Sequence, residues 1–499
     1  MLHWIHGRAC RRQRHRSVAE RGTVLGRVLT PPTGASNPTH LHPAPRPPTP
    51  IAYVRATGEP RPRHIPEAHT DNKEPNNGKA AHRHPSAPTG NDAKGRTMDT
   101  LDERVDIARA LLSAGITPAD LELSPDLAAA PEGPVLAADL GIVFPDGLAP
   151  VPQPFDVEPS PDAALPRADV VVITWTVAEQ NALADVFTQG FGRLRWYRYT
   201  RRFEEHYRPL IRNGAPSLAA RPPRLGSYFP VRLGDLNVLC VKSELHLNQD
   251  GRKTGEGTAT LPVRDFFEQI IEEVRPRMIA TIGTSGSVFG DFPLGDVVVT
   301  RAAKFRCQKE FRNEDFNGKT FKCDRTLPLG RIDDAQKLMR GFADRLTEPP
   351  LGPPSTRFPF VGPLLRPPAN EPTVRIEQGA RDMPEFHPIL TTDYFEYGTS
   401  TNGLEHEGAA VEMGDAALGL ACAGLTDAGS DHVPDWVVVR NMSDPQINGE
   451  LPTREFRLNQ QTMWAVSYYE SYGYWTSVCG ALATWGLLAG LSEAGIDDA

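Results

Sequence analysis

Cysteine is scarce in this chain of 499 residues. There are six, Cys10, Cys240, Cys307, Cys323, Cys422 and Cys479, all widely spaced. No C-x-x-C pair and no Cys/His cluster with zinc spacing occurs. That excludes a disulfide framework, a zinc finger and a thioredoxin-like dithiol. A reducing, cytoplasmic setting is expected, with no metal and no organic cofactor. A secretory signal needs an apolar stretch of roughly 7–15 residues, and none stands near the start. The uncharged stretch 474–491 approaches the length of a membrane span, yet it carries Thr476, Ser477, Gly480, Thr484 and Gly486 and has no basic flank. It predicts a buried terminal helix packed on a sheet, with no membrane partner. A Gly-x-Ser-x-Gly nucleophile elbow is missing at residues 283–287. Gly251-Arg252-Lys253-Thr254 lacks the earlier glycine that a phosphate loop requires. No internal repeat is evident.

What is present is enough for a large core: 39% of residues are hydrophobic, and the net charge is -8. The charge is uneven, roughly +10 over residues 1–97 and roughly -18 over the remainder. Residues 1–97 are rich in Arg, His, Pro, Asn and Thr without apolar periodicity. They predict a disordered basic extension, and one reading makes it a non-native segment ahead of Met98. A nucleic-acid partner would rest on this segment alone and is not expected. Residues 98–167 predict a short helix at 101–116 followed by a Pro/Ala/Asp-rich linker. Residues 168–491 predict the globular body, with inserts at 191–230 and 306–385.

The rhythm of that domain is strand and helix in alternation. Strands are expected at 170–173, 236–241, 278–282, 296–300 and 436–440. Helices are expected at 178–187, 263–274 and 411–425, with one long or two short helices over 463–491. This predicts an α/β fold, a mostly parallel or mixed central sheet flanked by helices. Ligands in such sheets sit at the carboxyl ends of strands. The notable small groups fall at those ends. Gly283 and Gly286 in Thr281-Ile282-Gly283-Thr284-Ser285-Gly286-Ser287 let backbone approach a ligand, with hydroxyls beside them. Glu179 follows the first strand, Glu412-Met413 stands at an expected helix start, and Arg440-Asn441-Met442-Ser443-Asp444 closes a strand.

In order and spacing these pieces resemble the purine nucleoside phosphorylase superfamily, in particular its 5'-methylthioadenosine/S-adenosylhomocysteine nucleosidase branch. The resemblance spans residues 168–491 and includes Thr392-Asp393-Tyr394-Phe395. It implies a nucleoside phosphorylase-like fold and the following roles. Glu179 activates the attacking water, and Asp444 hands a proton to the base. Thr284 lies beside the ribose within the Gly283–Gly286 segment, Phe395 stacks on the base, and Met413 lies under the sugar. Glu412 and Ser443 belong to the substrate-binding set. Breaking an N-glycosidic bond asks for these types independently: an acid to neutralise the departing base and a carboxylate to polarise water across the sugar.

Two departures from the family pattern stand out. The family places a second Glu directly after the Met, where it holds both ribose hydroxyls; Gly414 stands here, with Asp415 next. Either Asp415 or Glu412 takes over, the sugar is modified, or the site has lost turnover. The family's phosphorylases carry an Arg two residues before the first glycine of the turn; Thr281 stands here. The expected function is therefore a purine nucleoside or nucleotide N-ribosidase. A phosphate-dependent phosphorylase or a non-catalytic nucleoside-binding module remain alternatives. The expected partners are a small nucleoside or nucleotide and further copies of the chain.

Overall fold

The structure, a computed structural model, describes residues 139–211, 223–247, 259–347, 363–365, 371–376, 387–453 and 459–494. The expected extension over 1–97 and the expected helix at 101–116 lie outside the described residues, as do parts of both expected inserts.

In chain order the described elements begin with β1 (Val151–Pro152), β2 (Val170–Thr174), α1 (Val177–Phe187), β3 (Tyr197–Tyr199), β4 (Gly226–Leu233) and β5 (Leu236–Ser243). Next come α2 (Pro262–Val274), β6 (Met278–Ser287), β7 (Val297–Thr300), β8 (Ala302–Phe305), β9 (Thr320–Lys322) and α3 (Ile332–Arg340). The last are β10 (Val374–Ile376), β11 (Ile389–Thr391), β12 (Ala410–Glu412), α4 (Ala416–Asp427), β13 (Asp435–Asp444) and α5 (Gln460–Ala494). Among the described residues thirteen strands form one sheet. It is mixed: β2 runs parallel to β5 and β6, and β6 parallel to β13, whereas β4–β5, β6–β12 and β7–β13 are antiparallel. The α/β expectation with a mixed central sheet is borne out.

The central strands are buried on both faces, which is why they read as continuous Val/Ile runs. Along β2, Val171 and Ile173 join the core beneath α2 and α4, while Val170 and Val172 join the core beneath α1 and α5. α2 buries Val263, Phe266, Phe267, Ile270, Ile271 and Val274, the i, i+3, i+4 stripe of a helix lying on a sheet. The uncharged stretch belongs to α5, a single helix of 35 residues buried along most of its length. No helix among the described residues is long and apolar enough to cross a membrane.

Three stretches differ from expectation. β6 continues as strand through Gly283–Ser287, where small residues suggested a turn, because β13 keeps pairing with it as far as Gly286. The Glu412-Met413 pair does not open a helix. Residues 410–412 are a strand, and α4 begins at Ala416 after a turn that Glu412 closes on the amide of Gly414 at 2.5 Å. β13 runs on through Asp444, four residues past the expected end of the strand at 440.

One feature of β6 positions the site. β13 occupies the whole of one edge, residues 278–286. On the other edge β2 pairs only with residues 278–281, and β12 pairs only with Gly286 and Ser287. Among the described residues, no strand lies beside residues 282–285 on that edge, and a notch opens in the sheet.

Candidate active site

The notch is filled by charge. Thr176 caps α1 and Glu179 is its third residue, so the two form a capping box readable as Thr-x-x-Glu. The Glu179 carboxylate, only 2% exposed, then reaches across the notch. One oxygen accepts from Thr174 Oγ1 at 2.7 Å and from the amides of Trp175 at 2.9 Å and Thr176 at 2.8 Å. The other accepts from the Thr284 amide and from Thr284 Oγ1, both at 2.8 Å. The Thr284 carbonyl accepts from Arg440 Nη1 at 3.2 Å. A carboxylate and a guanidinium thus satisfy the backbone groups that a neighbouring strand would otherwise pair. Burial pushes the Glu179 carboxyl up, but Arg440 and the amide and hydroxyl donors outweigh it and hold the group below the usual glutamate range.

Arg440 is buried and fully engaged. Nε donates to Asp415 Oδ2 at 2.7 Å and Nη2 to Asp415 Oδ1 at 2.5 Å, a bidentate pair. Nη2 also lies 3.2 Å from Glu412 Oε2, and the guanidinium stacks 4.9 Å over the Trp175 ring. Glu412 accepts from Thr391 Oγ1 and from the amides of Gly414 and Asp415. Burial and the adjacent Asp415 raise its carboxyl to about 7.

Gly283 is required by close approach. A Cβ there would stand 2.5 Å from Arg440 Nη1 and 2.6 Å from Glu179 Oε1. Neither group can retreat, because each is pinned by the partners above. Gly283→Ala is expected to destabilise the fold by about 1–3 kcal/mol and to cost more than tenfold in any activity. Denaturant titration and a turnover assay on the same preparation check both.

Asp444, at the end of β13, pairs with Gly286 of β6, two residues or about 7 Å of strand beyond Thr284. It is 3% exposed and its Oδ1 accepts from Ser443 Oγ at 2.9 Å. Its Oδ2 has no hydrogen-bond partner and lies 2.8 Å from where a Gly286 Cβ would be. Burial raises this carboxyl to about 7, against a smaller opposing effect of the Ser443 hydroxyl. The segment carrying Phe395 comes to the same place: Tyr397 Cα is 3.4 Å from that Gly286 Cβ position. Asp393 anchors the segment by accepting from the amides of Gln308, Lys309 and Phe311, and Arg306 binds Glu396 at 2.6 Å. Phe395 itself is 42% exposed, its ring 5.9 Å from Tyr397. Met413 and Thr284 are half-buried.

The structure therefore gathers Glu179, Gly283, Thr284 and Glu412 around Arg440, with Gly286, Ser443 and Asp444 just beyond. Phe395 is the most exposed of the set. Sequence reasoning missed Trp175, Thr174, Thr391 and the Arg440–Asp415 pair. It also passed over Thr176, whose Thr-x-x-Glu spacing with Glu179 is the one local signal that could have found it. No group of three or more His, Cys, Asp or Glu among the described residues is arranged to hold a metal ion. A separate surface cleft of about 550 Å³ between α2 and His432 shares none of these residues. Its charges pair among themselves, His206 with Asp265 and Arg275 with Asp431, both at 3.1 Å.

No family model matches the chain, and no curated protein matches it. Solved structures do. A 5'-methylthioadenosine/S-adenosylhomocysteine nucleosidase from Neisseria meningitidis, in complex with methylthio-immucillin-A, is 14% identical, with a TM-score of 0.32 over 64% of this chain and 99% of that one. Futalosine hydrolase of Helicobacter pylori is 10% identical, with a TM-score of 0.33 over 64% and 96%. S-adenosylhomocysteine nucleosidase from Streptococcus pyogenes is 13% identical, with a TM-score of 0.33 over 66% and 99%.

Proposed function

We propose that the chain hydrolyses the N-glycosidic bond of a purine nucleoside or nucleotide and releases the free base. The observation that carries this reading is a pair of carboxyls that meet the same strand β6, Glu179 at Thr284 and Asp444 at Gly286, and whose surroundings pull their protonation in opposite directions. Glu179 is held ionised, while Asp444 is raised to about 7 and keeps a proton it can give away. Such divergence is how one site assigns an acid and a base.

Asp444 acts as the general acid. Its unpartnered Oδ2 donates to a ring nitrogen of the departing purine, neutralising the charge that develops as the bond breaks. Glu179 lies on the sugar side and orients water. Five donors make it a weak base, but two of them are hydroxyls, those of Thr174 and Thr284, which can rotate to free a lone pair. A weak base suffices when the oxocarbenium-like sugar forms before water attacks. Thr284 and Met413 then face the sugar, and Phe395 meets the base. Stacking on Phe395 would contribute roughly 1–3 kcal/mol.

The test is incubation with a panel of purine nucleosides and nucleotides, with and without phosphate, following free base by chromatography. Base release without phosphate is expected. Release that requires phosphate would make the chain a phosphorylase, and binding without release would make it a binding module. The pH profile carries a second expectation. The acid must be protonated, so kcat/KM falls as pH rises through about 7, the value for Asp444. Glu179 must be ionised, so the acidic limb appears only below the ordinary glutamate range. A rate that instead climbs through pH 7 would reverse the assignment.

A further inference from the structure

Neither of the acidic side chains beside Met413, Glu412 and Asp415, is free to clamp a sugar diol. The two candidates nearest Met413 are both spent within the protein. Glu412 accepts three hydrogen bonds, from Thr391, Gly414 and Asp415, and its second oxygen is ion-paired with Arg440 at 3.2 Å. Asp415, fully buried, holds Arg440 bidentately. Room for another acidic side chain is also missing. A Cβ on Gly414 would already stand 3.3 Å from Trp175 Cζ2 and 3.4 Å from its Cε2.

Those two atoms orient the indole. Cε2 carries Nε1, so Nε1 stands one bond beyond the Cζ2–Cε2 bond that lies against Gly414, the neighbour of half-buried Met413. Arg440 covers the face of the ring, and Phe267 meets it edge-on at 6.4 Å. The ring is thus fixed, and its Nε1–H is buried without a partner. A buried donor left unpaired is costly unless something arrives to accept from it.

We infer that the sugar is recognised by the single Nε1–H of Trp175 in place of a carboxylate clamp. The site then takes 2'-deoxyribonucleosides at least as well as ribonucleosides. The inference rests on the reading that Glu179 and Asp444 flank the glycosidic bond. One N–H donor satisfies one hydroxyl oxygen and gains nothing from a second hydroxyl on the neighbouring carbon. The 2'-hydroxyl would be desolvated without a carboxylate to receive its proton. Its electron withdrawal also opposes the positive charge that builds on the sugar, so its removal favours the chemical step as well.

The experiment compares matched pairs: adenosine with 2'-deoxyadenosine, inosine with 2'-deoxyinosine, guanosine with 2'-deoxyguanosine. Dissociation constants come from calorimetry and kcat/KM from base release. Each deoxy member is expected to bind within threefold of its ribo partner or better, and to react faster. A ribo preference in binding beyond threefold overturns the inference. Binding without release defeats the catalytic reading alone, since the affinity ratio still decides this one; failure to bind any nucleoside overturns both. Trp175→Phe keeps a ring for Arg440 and removes only the N–H. It is expected to weaken both members of a pair about tenfold with their ratio unchanged, and unaltered affinities would sink the role of Trp175. In the wild type, the indole N–H proton resonance of Trp175 should move downfield on saturation with 2'-deoxyadenosine. A stationary resonance counts against the proposal even if the variant fails to fold.

Discussion

Asp444→Asn is expected to lower base release by a factor on the order of 10²–10⁴, the usual contribution of a positioned acid, while the fold remains intact. Asparagine preserves the shape and can still accept from Ser443, but it has no acidic proton to give. Stability should move the other way above neutral pH. The carboxyl of Asp444 stands near 7 in the folded chain against an ordinary value near 3.8. A group raised on folding contributes fully at low pH and loses that contribution as pH rises through its folded value. At pH 8 the wild type must bury an ionised carboxylate, and the asparagine variant need not. Its melting temperature at pH 8 should equal or exceed that of the wild type. A variant with wild-type turnover would remove the mechanism.

Arg440→Met is expected to cost about 3–5 kcal/mol of stability, the penalty for stripping one partner from a buried ion pair. The loss is large because Asp415, Glu412 and Glu179 all rely on this guanidinium, and all three are buried. It would also free the Thr284 carbonyl and release Glu179 from the charge that keeps it ionised. Urea titration of the two proteins measures the effect. Arg440→Lys retains the charge but cannot hold Asp415 bidentately, so it should fall between them. Equal stability of Arg440→Met and wild type would mean that the cluster is not what closes the notch.

Much of the layout was legible in the sequence, because the signals that set it are local. Val170–Thr174 could hardly be anything but a strand buried on both faces, and the spacing of Phe266, Phe267, Ile270 and Ile271 fixes which side of α2 faces the sheet. Thr176 and Glu179 form a capping box within four residues. The misreadings occurred where a distant partner decides. Gly283–Ser287 looks like a turn until β13 lies beside it, about 160 residues later in the chain. Glu412 looked like the start of a helix because the apolar pattern runs on from Val411 into α4. What interrupts it is the Glu412 carboxylate folding back onto Gly414 and Asp415. The pairing of Asp415 with Arg440, and the placing of Trp175 against Gly414, arise only once strands from four parts of the chain meet.

The unpaired stretch of β6 is bounded by two independent registers, that of β2 against residues 278–281 and that of β12 against Gly286 and Ser287. Sliding either neighbour along β6 changes the opening only in whole-residue steps of about 3.3 Å. A same-face slip takes two such steps, since one step turns every side chain over. The width of the gap that Glu179 and Arg440 fill is therefore quantised, and one pair of side chains fits it only at one combination of the two registers.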